Sequence, residues 1–294
     1  MQYGLPYKGS KSKIADEIIE MLPPGRVLYD LFAGGCAITH AAILSGKWEK
    51  VVANDIKPYP KLFKDAAQGK YHGHYNWVSR DDFFKSEDPY DRLVFSFGND
   101  LRTYIYAAGE VENWKKALHL AVCFHDYEPF KELTGTDLSP IESCHTMKQR
   151  RIKAYRILGG RDYNIHLENL ERLERLNNLD RLDRLHVLGR LEVMTSSYLD
   201  VPVSDDAIIY CDIPYIQTNG YGKKKISDFD YDTFYDWARK QQAPVFVSEY
   251  QMPDDFECIW ERKISKKMDA FKSNESVERL FVHLGTEYTK TTLF

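Results

Sequence analysis

Short apolar runs alternate with amphipathic stretches at both ends of the chain, and the two periods separate strands from helices. Ile14, Ile18, Ile19 and Leu22 recur at helical spacing and predict a helix over residues 15–22, closed by Pro23-Pro24-Gly25. R-V-L-Y-D-L-F (26–32) reads as a strand, A-G-G-C-A (33–37) as a glycine turn, and the run through Ala41, Ala42 and Leu44 to Gly46 as a helix. Residues 51–56 form a second strand ending in Asp55. Further strands are expected at 191–195, from Ala207 towards Tyr215, and over P-V-F-V-S (244–248), with a helix over 230–240. The runs 256–264 and 277–284 have no helical crossover between them and suit an antiparallel pair.

Between them the alternation fades, and residues 63–189 read as an insertion, with helical character over 112–124. Within it leucine returns at every third position from Leu167 to Leu191. On a helix each triplet lags by about 60°, so these leucines wind around the cylinder, and a continuous coiled coil is disfavoured. The expected architecture is α/β: a mostly parallel sheet from residues 1–62 and 190–294, a C-terminal antiparallel hairpin, and a largely helical inserted region.

The 294 residues, 43% hydrophobic and 14% aromatic, can fill a sizeable core. No run of about 18 apolar residues and no N-terminal apolar segment after the first charges is present, so the expectation is a cytoplasmic chain without membrane association. Five scattered cysteines without a C-x-x-C pair, and His72, His74 and His119 without ligand spacing, argue against a metal or a disulfide framework. The net charge of −4 does not announce a nucleic-acid partner. Locally, however, Lys148, Arg150, Arg151, Lys153, Arg156 and Arg161 follow one another without an acid. That run suits phosphates, and equally suits a solvated helix face.

Two acids end apolar runs. The stretch A-I-I-Y-C-D-I-P-Y stops in Asp212, where Pro214 forces the strand to open into a loop. The Asp212 carboxylate and a neighbouring carbonyl offer two acceptors to one amino group, and Tyr215 offers a ring face for a flat heterocycle; a strand followed by a surface turn is the plainer alternative. Asp55 lies about 20 residues beyond the glycines, the distance at which an acid reaches a ribose hydroxyl pair. Upstream, the Gly-Ser turn with Lys8 and Lys11 leads into a helix whose N-terminus attracts anions, and equally suits a plain helix start with solvent-facing lysines.

Y-K-G-S-K, D-L-F-A-G-G-C, N-D and D-I-P-Y stand in the order found in the Dam-type DNA adenine methyltransferases, especially their phage-borne relatives, and over residues 6–62 and 191–284 the chain resembles that family. The resemblance implies a Rossmann-like methyltransferase sheet, S-adenosylmethionine as cofactor and double-stranded DNA as partner, with residues 63–189 recognising the target. It implies cofactor contacts at Tyr7, Lys11, Asp30, Phe32, Ala33, Gly34, Asp55, Ser197, Tyr198 and Asp212. Asp212, Ile213, Pro214 and Tyr215 would form the catalytic loop acting on a flipped adenine. Lys148, Arg150, Arg151, Lys153 and Arg156, with Lys223 and Lys224 in the loop after Tyr215, are the expected DNA contacts.

Two positions depart from the family pattern: Ile213 stands where a proline is usual, and Cys36 where a glycine is usual. They keep open a weakened relative that binds DNA or cofactor without turnover. An RNA or protein amine is the other alternative substrate. Methylation of a cytosine carbon is disfavoured because no Pro-Cys dipeptide exists.

Overall fold

The computed structural model describes residues 2–7, 9–159, 172, 187–215, 229–269 and 272–283. The chain divides into two compact units, one built from Met1–Gly4, Ser10–Lys64 and Leu185–Phe294, the other from Leu5–Gly9 and Asp65–Arg184. Tyr7, expected with the sheet, therefore groups with the second unit.

The first unit holds seven strands: β1 (Gly25–Asp30), β2 (Trp48–Asn54), β3 (Leu191–Met194), β4 (Ala207–Cys211), β5 (Val245–Glu249), β6 (Glu257–Asp269) and β7 (Lys272–His283). They lie in the order β3-β2-β1-β4-β5-β7-β6. The first five run parallel, and β7 pairs antiparallel with both β5 and β6. This is the mixed α/β sheet with a C-terminal hairpin that the apolar runs predict. Every residue of β4 and β5 is buried, as is usual for parallel strands covered on both faces. From β1 the order proceeds to β2 and β3 on one side and to β4 and β5 on the other. Such a switch point opens a crevice at the strands' carboxyl ends, where Asp30 and Asp212 lie.

Several boundaries differ from the expected ones. β1 stops at Asp30, so Leu31 and Phe32 belong to the turn. β2 runs from Trp48 to Asn54, leaving Asp55 just beyond it. The helix Ala37–Ser45 is buried from Ala37 to Ile43, which is why no amphipathic stripe marks it; its ends are marked instead by left-handed residues, Cys36 and Gly46. Helix Tyr231–Arg239 starts at Asp230, whose carboxylate accepts the Thr233 N–H at 3.0 Å.

The second unit contains helices Arg80–Lys85, Pro89–Val94, Glu110–Phe124, Glu128–Thr134 and Met147–Ile157. Its core is aromatic: Trp77 stacks on Tyr106 with centroids 5.6 Å apart and meets Phe95 edge-on. His119 belongs to this core. Its Nε2 lies 2.6 Å from the Tyr75 carbonyl, and burial pushes its pKa down to about 4. The Arg172 guanidinium is buried and donates to the carbonyls of Leu93, Val94 and Ser96. Most of the leucine-triplet segment, residues 167–171 and 173–186, lies outside the described residues, as do Arg161, Lys223 and Lys224.

Candidate active site

Asp30 ends β1 with its carboxylate turned to the start of helix Ala37–Ser45. Oδ2 accepts the Thr39 hydroxyl at 2.6 Å and the Thr39 N–H at 3.1 Å, while Oδ1 is buried and has no hydrogen-bond partner among the described residues. Burial pushes this carboxyl up to about 7, against the lowering effect of the Thr39 bonds. Beside it, Asp55 accepts the Gly34 N–H at 2.8 Å on one oxygen and the Lys57 N–H at 2.9 Å on the other. Burial raises the Asp55 pKa, and these N–H bonds oppose it. Ala33 donates to the Asn54 carbonyl at 2.9 Å, so the glycine turn is tied to the end of β2 twice.

Cys36 has φ 59 and ψ 35, the left-handed conformation that glycine adopts at least cost. The backbone shape of a glycine turn is thus kept without the glycine, at a cost of about 1–2 kcal/mol. The thiol is fully buried and its pKa is pushed well up by that burial, so it is not poised as a nucleophile.

Two further residues shape this region. Gly4, at φ +67, lies so close to the turn that a Cβ there would sit 2.2 Å from the Gly35 carbonyl oxygen and 2.7 Å from the Ala37 nitrogen. Its N–H donates to His40 Nδ1 at 2.9 Å. Asn54 is buried and uses both ends of its amide: Nδ2 donates to the Leu31 and Ser196 carbonyls, and Oδ1 accepts from the Ser196 N–H and hydroxyl. It staples the ends of β1, β2 and β3 together.

The loop after β3 brings Ser197 and Tyr198 to the same end of the sheet. Ser197 Oγ accepts the Leu199 N–H at 3.3 Å, and the Tyr198 ring lies 5.2 Å from that of Phe32. Phe229, Phe234 and Trp237 complete this aromatic group.

Asp212 follows β4 directly and is half-buried. Its Oδ1 lies 2.8 Å from Lys11 Nζ. Burial raises the Asp212 pKa, Lys11 lowers it, and Glu278 raises it. Lys11 is itself buried in a short turn capped by Ser10; burial lowers its pKa, but Asp212 and Glu278 outweigh that and hold it above the usual value. The ammonium also lies 4.6 Å over the Tyr215 ring and 3.8 Å from Glu278 Oε2. Tyr215 donates its hydroxyl to that same oxygen at 2.7 Å and meets Tyr250 edge-on. Thus Lys11, expected at the cofactor, has its ammonium on the carboxylate of Asp212.

The D-I-P-Y loop is anchored at both middle positions. Ile213 is 2% exposed and packs into the sheet's core, while the Pro214 carbonyl accepts the Tyr231 hydroxyl at 2.7 Å. Side-chain packing here holds a turn that a second proline would otherwise stiffen.

The basic run lies on helix Met147–Ile157 of the second unit. Lys148 and Arg156 are exposed, whereas Arg150 Nε donates to the Val122 carbonyl at 2.7 Å and Lys153 Nζ to the Pro140 carbonyl at 2.7 Å and Ser143 Oγ at 2.9 Å. Arg151 is half-buried. Three of the five positive residues are thereby engaged, wholly or partly, in packing their own unit.

No helix among the described residues is long and apolar enough to cross a membrane. No curated protein sequence matches the chain significantly. Among solved structures, the rRNA methyltransferase aviRa from Streptomyces viridochromogenes is similar at 12% identity, with 92% of this chain and 81% of that one covered and a TM-score of 0.33. Residues 7–127 match the model of the D12 class N6 adenine-specific DNA methyltransferase family, a match that continues past residue 62 into helices where the sequence motifs had stopped. Over those residues the chain is similar to the D12 class of N6 adenine-specific DNA methyltransferases.

Proposed function

We propose that the protein transfers a methyl group from S-adenosylmethionine to the exocyclic amine of adenine in double-stranded DNA, after the base has turned out of the helix. The position of Asp212 carries this reading: a carboxylate at the carboxyl end of β4, at the sheet's switch point, next to the acid-lined glycine turn.

The residues of the turn fit the cofactor. The unpartnered Oδ1 of Asp30 suits an ammonium, the Asp55 carboxylate retains lone pairs for ribose hydroxyls, and Phe32 with Tyr198 offers aromatic surface to an adenine ring. When bound, S-adenosylmethionine supplies an electrophilic methyl group on a sulfonium.

The chain's part is alignment. The lone pair of the adenine amine is delocalised into its ring, so the amine attacks poorly until its hydrogens are held and the nitrogen becomes tetrahedral. The Asp212 carboxylate and the Ile213 carbonyl are the two acceptors that would hold them, and preorganised acceptors need no rearrangement during the reaction. Turning a base out costs a few kcal/mol, and stacking on Tyr215 would return about 1–3 kcal/mol.

The test is incubation with labelled S-adenosylmethionine and unmethylated duplex DNA, followed by digestion to nucleosides. N6-methyl-2′-deoxyadenosine in the wild type, and a loss of about 100-fold or more in single-turnover rate for Asp212→Asn with cofactor affinity within a few-fold, are expected. Wild-type turnover in Asp212→Asn removes Asp212 from the chemistry. Label on RNA or protein and none on DNA moves the activity to another substrate.

A further inference from the structure

We propose that Glu278 is a positioning residue for methyl transfer: it offers Lys11 a second carboxylate, so that the ammonium leaves Asp212 free when the target amine arrives. This rests on the reading of Asp212 given above.

The geometry begins with one cation between two acids. Lys11 Nζ lies 2.8 Å from Asp212 Oδ1 and 3.8 Å from Glu278 Oε2. A movement of about 1 Å, well within the freedom of a four-carbon stem, would bring Nζ to hydrogen-bond distance from Glu278. Both side chains are almost closed to solvent, at 9% exposure each, so water cannot readily replace either partner. Glu278 is held for this part, because its Oε2 accepts the Tyr215 hydroxyl and its strand β7 is paired on both sides.

Charge balance gives the movement its reason. Lys11, Asp212 and Glu278 together carry one net negative charge when all are ionised. As the amine lone pair forms the N–CH3 bond and the S–CH3 bond breaks, positive charge passes from sulfur to nitrogen, and sulfur becomes a neutral thioether. The nitrogen then gives one proton to Asp212, which releases it to solvent. A carboxylate already neutralised by an ammonium at 2.8 Å is a poor partner for that developing charge. With Lys11 on Glu278, the full charge of Asp212 faces the nitrogen, and the group approaches neutrality as the transition state forms. Interactions that strengthen only at that stage raise the rate without tightening substrate binding. In its place glutamine would remove the negative charge while keeping an acceptor for the Tyr215 hydroxyl.

Two measurements on the full chain test this. Single-turnover methylation of unmethylated duplex DNA should fall at least 30-fold in Glu278→Gln, with KM for cofactor and for DNA within threefold, and should recover in part in Glu278→Asp. A Glu278→Gln rate within threefold of wild type, or KM values that rise as the rate falls, would overturn the proposal.

The second measurement follows acylation of Lys11 by acetic anhydride, read by peptide mass spectrometry. Lys11 should stay protected in Asp212→Asn, where Glu278 can take the ammonium, and be labelled at least tenfold faster in Asp212→Asn with Glu278→Gln. Equal labelling of the single and double variants would show that Glu278 is no second seat, whether or not Glu278→Gln folds. Absence of any DNA methylation by the wild type would instead overturn the functional reading and the catalytic part of this proposal together, while the labelling still decides where Lys11 can sit.

Discussion

The ammonium of Lys11 lies 2.8 Å from the carboxylate of Asp212, with 9% of the lysine side chain exposed. A buried cation so placed compensates two acids, and its removal should be costly. Lys11→Met is expected to lower stability by about 3–5 kcal/mol near neutral pH, because Asp212 and Glu278 would then face each other uncompensated. Burial already raises the Asp212 pKa and Lys11 opposes that rise, so without Lys11 it would rise further, and the loss should grow as pH climbs and shrink in acid, where Asp212 is protonated. Denaturant unfolding at pH 5 and pH 8 checks this; equal losses at both would disprove it.

Gly4→Ala should damage the glycine turn from outside it. The positive φ alone costs about 1–3 kcal/mol for a residue with a Cβ, and that Cβ would strike the backbone of Gly35 and Ala37. Lower thermal stability and at least tenfold weaker S-adenosylmethionine binding by calorimetry are expected. Unchanged affinity would mean that the turn's position does not set cofactor binding.

Asp30 predicts a pH dependence. Its carboxyl is pushed up to about 7 in the folded protein, against about 3.9 in an unfolded chain, so between those values the folded state holds more protons. Stability therefore falls as pH climbs through this window, by up to about 1.4 kcal/mol per pH unit, and Asp30→Asn should abolish that component. His119, pushed down to about 4, contributes the opposite slope and cancels in the difference between the two proteins. Cofactor binding through the ionised Asp30 should weaken by up to tenfold per unit below pH 7. A pH-independent difference between wild type and Asp30→Asn would rule this out.

The basic helix should separate into two kinds of residue. Lys148→Gln with Arg156→Gln is expected to lower the salt dependence of DNA affinity by up to about two units of slope without loss of stability. Arg150→Gln should instead cost about 1–3 kcal/mol of stability, since it leaves the Val122 carbonyl without its donor. Filter binding at several salt concentrations, paired with thermal melts, distinguishes the two; an unchanged slope assigns the exposed pair to a solvated surface.

Asp55 and Asp212 were legible because each closes an apolar run, and strand ends in a parallel sheet share one edge; Asp30, read as lying inside a strand, was legible only through the D-L-F motif. Glu278 was not. It stands in V-E-R-L-F-V beside Arg279, and only the register of β7 decides which charge turns towards Lys11. Gly4 was hidden for a similar reason, since its importance lies in a close approach to residues about thirty positions away. Cys36 looked in sequence like a lost glycine, yet its left-handed backbone preserves the turn. The charges of Lys148–Arg156 were plain to see, while the carbonyls that engage Arg150 and Lys153 depend on tertiary packing alone.

The sheet order, with β7 between β5 and β6, has a consequence for the time at which the site comes into being. A ribosome adding about 5–20 residues per second would deliver Lys11 tens of seconds before Glu278. Until β7 emerges, β6 has no partner, β5 has an open edge, and Lys11 lacks one of its two acids. The nascent chain must therefore carry an unfinished sheet edge until β7 emerges, and that one strand closes both the edge and the charge cluster.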